Sequence, residues 1–164
     1  MLRWLILPLL LLALVSGAST PITIGAANAD DKEDAAKAAM KKLEGNWKLL
    51  RQEYKGNLKP GVDRTKEGLF IEDGKIFWTV DGKERGRQKG DLKLDPTAQP
   101  AALDVEITRG SAIGKKLLGI YELKGDKLTI CWSEAGDDKR PKKFVTKTAV
   151  GSGLMLDTYQ MVKD

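Results

Sequence analysis

The chain is predicted to fold as an all-β, antiparallel up-and-down β-barrel of about eight strands with a short N-terminal helix. Three observations carry this prediction. First, Gly119–Trp132 reads as two strands around a Gly125-Asp126 turn. Antiparallel pairing sets Leu123 opposite Leu128, Tyr121 opposite Ile130 and Gly119 opposite Trp132, and opposed residues share a face. One face is then apolar, with Trp132 lying over a glycine. The other carries Ile120, Glu122, Thr129 and Cys131, as in a sheet with one buried side. Second, Leu69–Glu72, Asp73-Gly74 and Lys75–Val80 form a hairpin around one of the strongest short turn signals. Its register gathers Leu69, Ile71, Ile76 and Trp78 on one face, and Phe70 and Phe77 on the other. Third, strands recur between turn residues with hardly any helix, which indicates a sandwich or barrel. Consecutive strands joined by short turns favour the barrel, whose closure leaves no free edge.

The elements follow in order. Met1–Ala29 reads as a signal peptide: Arg3, an apolar run from Leu5 to Val15, and small residues at Ala27-Asn28-Ala29, with Ser16-Gly17-Ala18 as a second cleavage site. The run is about 11 residues, short of the roughly 20 a spanning helix needs. Removing the leader takes away one charge, Arg3, and leaves 27 basic and 23 acidic residues. This mild excess with mixed signs argues against a nucleic-acid groove. Export to a secreted or periplasmic location, with no stable membrane span after leader removal, is the expectation. Cys131 is the single cysteine, so no internal disulfide forms and the core alone must hold the domain.

Residues 30–42 form a helical or flexible segment. Acidic residues come first and lysines last, which suits a helix dipole, and Ala36, Ala39, Met40 and Leu43 make a thin apolar stripe. The barrel domain spans residues 43–164. Lys48–Tyr54 is its first strand, residues 57–66 a loop around Pro60-Gly61, and the 69–80 hairpin follows. After Asp81-Gly82, a two-residue loop would place Arg85 and Arg87 beside Trp78 and Ile76. A three-residue loop, Asp81–Lys83, instead aligns Gly86, Gln88, Gly90, Leu92 and Leu94 with the core, and is preferred because burying two guanidiniums is costly. Leu103, Val105 and Ile107 alternate with Asp104 and Glu106 as a half-buried strand. Ser133–Lys143 is a polar loop, Phe144–Thr148 a short strand or extended loop, and Gly153–Val162 the last strand.

Leu43-Glu-Gly-Asn-Trp47, Leu92-x-Leu-Asp-Pro96, the Gly119–Cys131 motif and Arg140-Pro-x-x-Phe144 resemble a family of secreted domains described mainly from planctomycete bacteria. That family has no established function and is itself similar to lipocalin-like barrels. There a Gly-x-Trp opens the first strand, so the resemblance implies that Trp47 plugs the barrel base. The late arginine that lipocalins set against this tryptophan is missing here; only Lys163 follows the last strand.

The chain has no histidine. This removes the usual general base near neutral pH, the usual zinc ligand, and Ser-His and Cys-His nucleophile pairs. No enzymatic activity, cofactor or metal is expected. Most carboxylates sit beside turns or alternate outward on strands, where turn chemistry and solvation account for them. Cys131 is expected to be a small apolar filler on the outer face, partly exposed. The basic stretch Lys139–Lys143 reads as a solvated loop. Trp47, Trp78, Gln88, Tyr121, Ile130 and Trp132 are the candidate ligand-binding residues of the barrel interior. They either fill the barrel or line a cavity for a small apolar ligand, with the Tyr121 hydroxyl and the Gln88 amide as polar handles. The expected function is a non-enzymatic binding module. The alternative is a cell-envelope module that engages or inhibits a protein partner through its loops or its outer face.

Overall fold

A computed structural model of the chain describes residues 29–58, 66–81, 83–147 and 153–163. The expected leader, apart from Ala29, and residues 59–65 of the first loop lie outside these. Helix α1 (Ala29–Leu43) has Asp30 and Asp31 in its first turn and Lys41 and Lys42 in its last, which complements its dipole. Its thin apolar stripe buries Leu43 and half-buries Met40 against the barrel. The Trp47 indole Nε1 donates to the Leu43 carbonyl at 2.8 Å and so ties the helix end to the first strand.

Nine strands follow among the described residues: β1 (Gly45–Tyr54), β2 (Asn57–Leu58), β3 (Glu67–Glu72), β4 (Lys75–Val80), β5 (Lys83–Asp95), β6 (Ala102–Arg109), β7 (Lys116–Lys124), β8 (Lys127–Trp132) and β9 (Met155–Met161). β1 and β3 to β9 pair antiparallel in chain order, and β1 also pairs with β9, which closes an eight-stranded barrel. β2 is a two-residue arm folded back on the end of β1. Both hairpins have the register read from the sequence. Asp73 and Gly74 have φ of 46° and 69°, the left-handed pair a two-residue hairpin turn requires. A Cβ on Gly119 would lie 3.2 Å from both Trp132 Cε3 and Leu103 Cδ1, so the glycine makes the space the indole occupies.

The β4–β5 connection differs from expectation. Val80 pairs with Lys83, which leaves a two-residue turn and not the three-residue loop. The register is shifted further on: between Thr79↔Glu84 and Phe77↔Lys89, β4 contributes Trp78 alone while β5 contributes residues 85–88. This bulge returns Gly90 and Leu92 to the core face, the same outcome the longer loop was meant to secure. A second bulge lies in β1 at Leu50, between Leu49↔Tyr159 and Arg51↔Thr158. It turns Leu50 (53% exposed) outward and changes which residues beyond it face in.

Cys131 also departs from expectation. It stands on the outer face but is 0% exposed, because the segment 133–147 is strapped across the wall above it. Arg140 holds the middle of the strap, donating to the Leu103 and Gly119 carbonyls at 2.9 and 2.7 Å and pairing with the Asp104 carboxylate. The basic stretch therefore holds a structural clamp. Thr146 holds the far end: its hydroxyl donates to Glu53 Oε1 at 2.6 Å and accepts from the Gly56 N–H at 2.9 Å. The Val145 carbonyl lies 3.9 Å from the Cys131 sulfur. Each of the two Thr146 hydrogen bonds contributes about 0.5–1.5 kcal/mol net. Thr146→Val is therefore expected to raise the rate of Cys131 labelling by a soluble thiol reagent about tenfold, with an unchanged far-ultraviolet dichroism spectrum. An unchanged labelling rate would show that the strap is not what shields the thiol.

Candidate functional site: the open end of the barrel

Trp47, Leu69, Ile71, Leu103, Leu128 and Ile130 pack with Leu43 into a buried cluster that continues to Leu49, Trp132 and Tyr159. Where β1 finishes and β9 begins, the interior opens into a cavity of about 250 Å³. Its lining combines the apolar Trp78, Trp132, Leu49, Leu117 and Met155 with the polar Gln52, Glu67, Thr79, Gln88, Asp157 and Tyr159.

Three of the six candidate residues meet there. Trp78 and Trp132 stand with ring centroids 6.4 Å apart, tilted by 45°, and Gln88 lines the same space. The other three do not line it. Trp47 is buried at the helix end, with its indole N–H committed to Leu43. Ile130 is core filler. Tyr121 is buried and faces a groove beside α1, where Leu43, Pro100 and Phe144 are its neighbours along the lining; burial, and secondarily the Asp95 charge, pushes its phenol up. Tyr121 is thus no polar handle for the cavity, whereas Gln88 is placed to be one.

The polar lining centres on Asp157, which is 1% exposed. Gln52 Nε2 donates to its Oδ1 at 2.8 Å, and the Tyr159 hydroxyl donates to its Oδ2 at 2.9 Å. An amide and a phenol thus converge on the carboxylate and supply partners that a buried polar group needs. Burial, reinforced by the Asp157 charge, pushes the Tyr159 phenol well above its ordinary range.

Residue-type periodicity pointed to none of Gln52, Asp157 and Tyr159 as site residues. Asp157 and Tyr159 left a trace: Met155, Asp157, Tyr159 and Met161 share one face of β9, and an acid in phase with three large apolar residues marks an inward polar group. Gln52 left none. Continued alternation from Trp47 and Leu49 would have turned Arg51 inward, but the Leu50 bulge puts Arg51 outside, 60% exposed, and brings Gln52 to Asp157.

Among the described residues no group of three or more His, Cys, Asp or Glu is placed to hold a metal ion, and no helix is long and apolar enough to cross a membrane. Comparison with protein-family models, curated proteins and solved structures returns no match for this chain.

The buried acids dictate a pH response. The Cys131 thiol is pushed up to about 11 from 9.0, chiefly by burial, and the Tyr159 phenol rises from 10.0. Both groups hold their proton more tightly folded than unfolded. The stability they confer is thus complete below the unfolded values and lost as pH climbs past them. Urea unfolding midpoints are expected to stay level from pH 7 to about 8.5 and to fall steadily above about pH 9. Cys131→Ala and Tyr159→Phe should each flatten that fall. Tyr159→Phe should also cost about 1–3 kcal/mol at pH 7, since Asp157 loses a donor.

Proposed function

We propose that the chain is a non-enzymatic binding module that works after export and holds a small molecule in the open-end cavity. The observation that carries this reading is the mixed lining of that cavity, two tryptophans together with a hydrogen-bonded cluster of amide, carboxylate and phenol. Small-molecule sites pair mostly apolar linings with a few placed polar groups in this way, usually in volumes of about 300–1,000 Å³. At about 250 Å³ the cavity stands just below that range, so the occupant is small. The polar lining argues for a molecule with an apolar face and a polar edge, more polar than the small apolar ligand that residue patterning suggests.

A second reading, as an envelope module that engages or inhibits a protein partner, draws on the outer wall. Phe70 and Phe77 stack there at 5.7 Å between centroids, with Lys89 Nζ 4.6 Å from the Phe77 ring centre. Native mass spectrometry of protein purified from its own host separates the two. A co-purifying small molecule that is lost when Leu117→Trp fills the cavity is the expected result. A co-purifying protein, lost on Phe77→Ser and retained by Leu117→Trp, would overturn the cavity reading in favour of the second.

A further inference from the structure

We infer that the molecule held in this cavity carries a planar ring with a lactam-type edge, an acceptor beside a donor, and that Gln88 reads the edge while Trp78 takes the ring face. The inference rests on the reading of the cavity as a binding site and specifies the class of its occupant.

Two glutamine amides line the cavity, and they are not equivalent. The Gln52 amide is committed through its N–H to Asp157. Gln88 is half-buried at the open end, and among the described residues no hydrogen bond engages its amide. Its donor and its acceptor are therefore both available to a molecule that enters. The wall is distorted where it stands: four residues of β5, Gln88 the last of them, face Trp78 alone on β4. Bulges of this kind re-aim a side chain at functional sites. Here the bulge sets an amide beside an indole at one mouth.

A primary amide offers one acceptor oxygen and a donor NH₂ in a single plane. Its complement is a planar edge with donor and acceptor adjacent, the geometry by which glutamine recognises a heterocycle bidentately. Lactams, ring amides and aminopyridine edges share it. Trp78 is tilted from Trp132 and lines the cavity, so it is placed to receive a flat ring in offset stacking. A cavity of about 150 Å³ holds a benzene ring; the 250 Å³ here admits one ring or two fused ones.

The test uses the full chain and two probes of nearly equal shape, quinolin-2-one and its N-methyl derivative, with affinity read by calorimetry and by tryptophan fluorescence. The wild-type protein is expected to bind quinolin-2-one at least tenfold more tightly than the N-methyl compound. Gln88→Leu should bring that ratio close to one, and Gln88→Asn should keep part of it. A ratio near one in the wild-type protein overturns the inference and leaves the cavity reading standing, since both compounds then bind as apolar rings. A ratio that persists in Gln88→Leu also overturns it, because the methyl group is then excluded by shape. Binding of neither compound overturns it as well, and the host-purified protein then decides on the cavity itself. Dichroism spectra confirm that each variant is folded.

Discussion

The β1–β9 ladder is the constraint on which the structure depends. Without it the sheet would have two long edges and an apolar face open to water. With it each of the eight barrel strands has a neighbour on both sides, and each side chain must lie inside or outside a wall with no free margin. Inside, volume is scarce. Gly119 yields its side-chain space to Trp132, and Gly90 yields its own to Val105. Such complementarity is what close packing in a small barrel requires.

The same constraint explains the two bulges. Strict alternation would carry Arg51 into the barrel, where an uncompensated charge is costly. One inserted residue at Leu50 exchanges it for Gln52, which finds Asp157. On β5 the inserted residues restore the core phase of Gly90 and Leu92 and leave Lys89 outside over the Phe77 ring. Both irregularities border the same cavity. Gln52 and Gln88 thus reach the cavity through interruptions in the sheet, while Trp132, Asp157 and Tyr159 reach it by regular alternation.

The strap extends this economy to the outer surface. Ile120 and Cys131 are apolar residues on the outward phase of β7 and β8, and they would face water in a bare barrel. The 133–147 segment covers them and is held at its middle by Arg140 and at its end by Thr146. Arg140 stands in a lysine-rich run that by composition is a solvated loop. Its role appears only when the Leu103 and Gly119 carbonyls and the Asp104 carboxylate are brought together from two strands.

Local signals in the chain determined the hairpins, their registers, the apolar inner face and the helix with its polarity, because turn chemistry, period-two alternation and the dipole act over a few neighbouring residues. They placed Trp78 and Trp132 on the inner face; Gln88 reaches it through the β5 bulge and not through the expected three-residue loop. Tertiary structure alone decided which inward residues fill the core and which line a cavity, since that depends on what each one meets across the barrel. Trp47, Tyr121 and Ile130 share the inward phase and do not line the cavity. Tertiary structure also decided the phase of Gln52 and the burial of Cys131. A bulge is stabilised by strands distant in sequence, and a strap crosses residues it does not adjoin, so neither leaves a periodic mark in the chain.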